Sequence, residues 1–169
     1  MTEAIDDERL TLAGLFFEAH AGLSAELERR LEADCGLSVS SFEVLLRLAR
    51  SPGARLRMSD LAAQVTLSTS GLTRAVDRLE RHELVKRESC PSDRRGSYAV
   101  LTAKGAKRIR SAAAAHVTHL EQTFTGLFEP AQRAALEDAL RVVRDSLNPG
   151  ALAGAARNAD AGAACSSKR

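Results

Sequence analysis

Cysteine is rare in this chain of 169 residues: only Cys35, Cys90 and Cys165, an odd number with no CxxC pair. That pattern excludes a disulfide framework and argues against a structural zinc site. Aromatic residues make up 4% and Trp is absent. Alanine and leucine dominate instead, which favours helices over a sheet. No run of 18 apolar residues occurs, so no membrane-spanning helix is expected. The acidic start MTEAIDDERL reads as no secretory signal, so a cytoplasmic location is expected. Catalytic signatures are missing too. There is no glycine-rich phosphate loop, no HExxH and no GxSxG, since Ser70-Gly71 lacks the first glycine of that elbow. An enzyme is not expected, and no cofactor is called for.

What remains is a globular composition, 44% hydrophobic and 27% charged, long enough to bury a core. The net charge of +2 conceals an asymmetry. Residues 1–49 hold four Arg/Lys against ten Asp/Glu, and residues 50–110 hold fourteen against six. Residues 111–169 balance at six against six. A basic middle beside an acidic flank points to a polyanion bound on one face.

The apolar spacing orders the chain. Leu12, Leu15, Phe16, Ala19, Leu23, Leu27 and Leu31 recur at three and four, predicting a helix over 8–33 that stops at Gly36. So long a helix is hard to bury in a small monomer, and part of it is expected to face a partner chain. A second helix is expected over 41–49, ended by Ser51-Pro52-Gly53. A short linker, 54–57, leads to Met58 and reads as a brief strand, and Ser59 as the cap of a third helix carrying Leu61, Ala62 and Val65. Thr66-Leu67-Ser68 forms a turn into a fourth helix over 69–82, with Leu72, Ala75, Val76 and Leu79 inward. Strands over 84–89 and 97–101 form a hairpin around the loop Cys90–Gly96. Thr102 caps a fifth helix running to about Phe128, with Ile109, Ala112, Ala113, His116, Leu120, Phe124 and Leu127 on its apolar side. Pro130 begins a sixth, with Leu136, Leu140, Val143 and Leu147 in its stripe. The Ala/Gly/Ser-rich tail, 148–169, is expected to be disordered. The fold class is therefore mainly α (α+β): a winged helix-turn-helix between long flanking helices that form a dimerisation domain. One domain spans 1–147, with dimerisation helices at 1–36 and 106–147 and a winged-helix lobe at 41–105.

A helix in the major groove reads bases from its N-terminal residues. Here these are Ser68, Thr69, Ser70, Thr73 and Arg74. Arg74 can engage a guanine in bidentate fashion, and Arg78, one turn later, suits a phosphate. Arg94 and Arg95 stand at a narrow hairpin tip, from which arginine enters a minor groove. Asp93 beside them would hold an arginine in position rather than face DNA. Cys90, near both arginines, is a candidate oxidant sensor, because adjacent cations favour the thiolate. His116 and His119, three apart with His20 as a possible third, lack a fourth ligand, so no metal site is assigned.

Residues 59–105 resemble the winged helix of the MarR family of bacterial regulators. The resemblance rests on SDLAAQ at 59–64, TSGLTRAVDRLERHELVKR at 69–87 and PSDRRGSYAVLTAKG at 91–105. The family's Asp-x-Arg wing motif falls on Asp93 and Arg95. Glu83-Leu84 departs from the glycine-bearing turn common there. The resemblance implies a homodimer with two recognition helices on a pseudo-palindromic operator in double-stranded DNA. It implies repression relieved by a small ligand or an oxidant. It also implies an anionic aromatic effector between the dimerisation helices and the reading head, where Leu15, Phe16, His20, Phe42 and His116 are the candidates. A winged-helix module for protein interaction is the competing reading. It calls for an apolar face on residues 69–81, where Arg74, Arg78 and Arg81 stand instead.

Overall fold

The computed structural model describes residues 5–65, 67–90 and 93–147, and for Cys90 and residues 93–96 the backbone alone. Helix α1, Glu8–Cys35, starts at Asp7, whose carboxylate accepts the Arg9 N–H. It ends where Gly36 turns left-handed (φ 55°). The Gly36 and Leu37 N–H groups return to the carbonyls of Glu32 and Leu31, closing the last turn. Of the whole helix only Leu31 and Cys35 are buried. The predicted stripe from Leu12 to Phe16 lies in the open, with Leu12 70% exposed.

Helix α2, Val39–Arg50, begins earlier than Ser41 because Ser38 is the cap: its hydroxyl accepts the Ser41 N–H at 3.3 Å. The short strand β1 is Arg55–Arg57, and Met58 opens helix α3, Met58–Gln64. The brief strand expected in the linker 54–57 is present as β1, and one expectation changes: Ser59 lies inside the helix rather than capping it. Arg57 takes the cap position in extended conformation, without a side-chain capping bond, because it pairs with Tyr98 in the sheet. Helix α4, Thr69–Arg81, is capped by Ser68, which accepts the Gly71 N–H at 3.1 Å. It buries Leu72, Ala75, Val76 and Leu79, as the spacing predicts.

Strands β2, Val85–Cys90, and β3, Asp93–Leu101, pair antiparallel, and β1 joins the other edge of β3 to give the order β1-β3-β2. The hairpin is longer than expected. Pairing continues through positions expected to be loop, as far as Cys90 opposite Asp93, with a register shift after Ser89. An exposed ribbon needs only backbone pairing, so its polar side chains do not end it. Helix α5, Ala103–Thr123, stops five residues before Phe128, and Thr125–Leu127 form a short 3₁₀ turn. The Thr123 and Thr125 hydroxyls donate to the carbonyls of His119 and Leu120, offering the backbone an alternative to another helical turn. A Cβ on Gly126 would stand 2.2 Å from the Glu121 carbonyl oxygen, so only glycine fits this fold-back. Helix α6, Pro130–Leu147, buries none of its residues. The expected tail, 148–169, lies outside the described residues.

The core lies within the winged helix and the inner ends of α1 and α5. Leu31, Val44, Leu45, Leu48 and Leu61 are fully buried there. Glu83 sits in the turn after α4 at φ 60°, a conformation glycine adopts freely and other residues at a cost of roughly 1–2 kcal/mol. Its side chain offsets part of this through a 2.9 Å ion pair to Lys104, which is well exposed and therefore weak. Glu83→Gly is accordingly expected to stabilise the fold by about 0.5 kcal/mol, read as a higher denaturation midpoint at unchanged slope.

Candidate nucleic-acid interface

Leu72, Ala75, Val76 and Leu79 fix which side of α4 meets the core, so the opposite side meets solvent. That exposed side carries Ser68, Thr69, Ser70, Thr73, Arg74 and Arg78, every one a residue singled out from the sequence. Two of the hydroxyls are partly committed. Ser68 caps the helix, and Thr73 donates to the Thr69 carbonyl at 3.0 Å. Gly71 therefore has a local reason to be glycine: a Cβ there would press on the Ser68 hydroxyl at 3.1 Å.

Arg74 makes no ion pair or hydrogen bond among the described residues, so its fork of donors stays available. Arg78 donates weakly to the Ser38 hydroxyl at 3.4 Å, which draws it toward the start of α2. The two acids of α4 are turned elsewhere. Arg87 of β2 reaches Asp77 at 2.6 Å and Glu80 at 2.9 Å, and its own N–H donates to Glu80. This arrangement leaves Arg74, Arg78 and Arg81 as the net charge of the helix, and it ties the hairpin to α4. Sequence reasoning missed Arg87, whose partners lie seven and ten residues back on a different element.

The hairpin carries Arg94 and Arg95 to its far end, but the side chains of Cys90, Asp93, Arg94 and Arg95 lie outside the described residues. The expectations that Asp93 holds an arginine and that Cys90 senses oxidants fall there. Cys35 is buried as a free thiol, and the Arg108 guanidinium donates to its carbonyl.

The five effector candidates separate into two places. Phe42 and His116 meet with ring centroids 4.6 Å apart in the packing of α2 against α5. Leu15, Phe16 and His20 stay on the exposed part of α1, where His20 stacks on Phe16. Burial, aided by nearby His119, holds His116 below the ordinary histidine pKa, so it is neutral near pH 7. His119 bonds Asp34 at 2.9 Å, tying α5 to α1. Among the described residues no group of three His, Cys, Asp or Glu side chains could hold a metal ion. A different cavity, of about 650 Å³, opens between the start of α2, the end of α4 and the start of α5. It is lined by Ser38, Ser41, Arg78, Lys104, Lys107 and Arg108, among others. The signal for it was weak in the sequence, since its cations are spread over 30 positions.

The joint between the hairpin and α5 is tight. The Thr102 hydroxyl donates to the carbonyls of Glu83 and Leu84, and its N–H also bonds Leu84. Gly105 packs directly on that same Leu84 carbonyl. The base of the reading lobe is thus locked to α5.

Known proteins share this arrangement. The family model for the MarR family matches residues 37–97. Sco3205, a MarR family transcriptional regulator from Streptomyces coelicolor solved in complex with DNA, superposes with a TM-score of 0.80 at 37% identity. The match covers 84% of this chain and 89% of that one. The chain belongs to the MarR family. AbsC, a second MarR regulator from Streptomyces coelicolor, matches at 36% identity and TM-score 0.78, covering 85% and 96% of the two chains. The HTH-type transcriptional regulator YkoM of Bacillus subtilis is 28% identical over 122 residues, 72% of this chain and 77% of that protein. The chain is thus a MarR-family transcriptional regulator and not an enzyme. No helix among the described residues is long and apolar enough to cross a membrane.

Proposed function

We propose that the chain is a homodimeric repressor, acting in the cytoplasm, that binds a pseudo-palindromic operator in duplex DNA and leaves it when a small ligand binds. The observation that carries this reading is the exposed side of α4. An uncommitted Arg74 stands among hydroxyls, with Arg78 and Arg81 behind it and both helix acids drawn off by Arg87. The DNA-bound relative Sco3205 supports it. Arg74 reads a base, Arg78 and Arg81 meet phosphates, and Arg94 and Arg95 enter the neighbouring minor groove.

The second copy is argued from surface. Leu12, Leu15 and Phe17 of α1 and Val142, Val143 and Leu147 of α6 lie between 51% and 80% exposed, too much apolar surface for a monomer to leave in water. Residues 1–36 and 106–147 supply the dimer, and 41–105 the reading lobe. Two copies of α4 then address major grooves about 34 Å apart, one helical turn along the duplex. The effector is a small organic anion. The cavity beneath α4, which Glu32 also lines, offers it Arg78 and Lys107, with Lys104 and Arg108 at its wall already bonded to Glu83 and the Cys35 carbonyl, and its occupation draws Arg78 away from DNA.

Selection of duplexes from a random pool tests the reading. The wild type should enrich an inverted repeat with half-sites one turn apart. Arg74→Ala should lose preference at one base pair of each half-site, worth about 1–3 kcal/mol, while keeping the rest. A pool left unenriched would refute the proposal.

A further inference from the structure

Side chains along a strand alternate between the two faces of a sheet. Leu56, Val85 and Ala99 are buried, and Arg87, paired with Ala99, bonds the acids of α4. That face looks toward the core and the recognition helix. The opposite face carries Arg55 and Arg57 of β1, Tyr98 and Val100 of β3, and Lys86 and Glu88 of β2. It is turned away from α4.

Two guanidiniums gather there on one ring. Arg55 lies 5.0 Å and Arg57 5.7 Å from the Tyr98 centroid, and the Arg57 Nε donates to the Tyr98 hydroxyl at 3.3 Å. The carboxylate on this face, Glu88, bonds Lys86 at 2.7 Å and feels Arg55 at longer range. Arg55 is exposed and makes no ion pair among the described residues. Stacking on an aromatic face orders a guanidinium while leaving its N–H donors free for an oxyanion.

We propose that Arg55, Arg57 and Tyr98 form a phosphate clamp for the DNA that flanks the wing. This rests on the DNA-binding reading above. If α4 lies in the major groove and the hairpin tip in the next minor groove, the outer face of the sheet points along the duplex, away from the centre of the dimer. Strands rise about 3.3 Å per residue, so the cluster stands roughly 16 Å back from the Asp93 end. It meets the sugar-phosphate backbone outside the half-site, adding affinity and footprint without base preference. Charge selects this occupant: three cations against one paired carboxylate suit a polyanion.

The test compares wild type, Arg55→Gln and Arg55→Lys on two duplexes taken from the selection, one trimmed to the half-sites and one extended by about 5 base pairs, half a turn, at each end. Binding is titrated by fluorescence anisotropy at several salt concentrations. On the extended duplex, Arg55→Gln should lower the slope of log K against log salt by about 0.9 per lost contact, close to 2 for a dimer. Arg55→Lys should retain the slope, and the trimmed duplex should not distinguish the three proteins. An unchanged slope for Arg55→Gln on the extended duplex overturns the clamp, as does an equal loss on the trimmed one. Wild type that binds no duplex refutes the DNA reading itself, and the clamp with it.

Discussion

Gly105→Ala is expected to destabilise the protein by about 3 kcal/mol, the upper end of what an overpacked site ordinarily costs. A Cβ at this position would lie 2.0 Å from the Leu84 carbonyl oxygen and 2.8 Å from a Leu101 methyl. The leucine side chain can move, but the carbonyl cannot do so cheaply. It already accepts the Thr102 N–H at 3.1 Å and the Thr102 hydroxyl at 3.1 Å. Relief therefore requires sliding the first turn of α5 off the hairpin, at the expense of the cap that begins α5. A chain of this size loses roughly 2–4 °C of melting temperature per kcal/mol, so a drop of about 10 °C should appear in a thermal melt followed by circular dichroism. A melt within 2 °C of wild type would mean that the α5–hairpin joint is loose. That result would contradict the close packing of Gly105 on the Leu84 carbonyl as the lock between α5 and the hairpin.

Affinity for operator DNA is expected to fall about 10³-fold or more between 50 and 200 mM salt. Each phosphate neutralised by a cation releases a counterion, and a dimer making 6 to 10 such contacts has a slope of roughly −5 to −9 in log K against log salt. The structure sorts the cations that can contribute. Arg87 is spent on Asp77 and Glu80, Lys86 on Glu88, and Lys104 on Glu83. Arg55, Arg74, Arg78 and Arg81 are not so consumed among the described residues, and the hairpin adds Arg94 and Arg95. Anisotropy titrations across the salt series give the slope directly. A slope near zero would mean that the basic middle of the chain serves another partner.

Much of the reading head was legible because its signals are local. The spacing of Leu72, Ala75, Val76 and Leu79 defines one face of α4, so the exposed residues opposite follow by geometry. Ser68 before that helix and Thr102 before α5 are caps recognisable from residue type. The unread features depend on contacts distant in sequence. Nothing around Arg87 announces Asp77 and Glu80 as its partners. Arg55 and Tyr98 lie 43 positions apart and meet only because β1 pairs with β3. The length of α5 was misjudged because Phe124 and Leu127 continue its apolar period, while Thr123, Thr125 and Gly126 fold the backbone out of the helix. The effector candidates failed to converge for a related reason. Leu15, Phe16 and His20 share a helix with Leu31, but the chain packs only the far end of that helix against its core.

On the proposed function, α4 reads sequence rather than merely charge. The most direct measurement is the ratio of dissociation constants for the selected duplex and a scrambled duplex of equal length, at a fixed salt near 150 mM. Specific regulators hold their sites roughly 10³-fold or more tighter than other DNA, and that ratio is the expected result, falling with Arg74→Ala. Equal constants for the two duplexes would contradict the account.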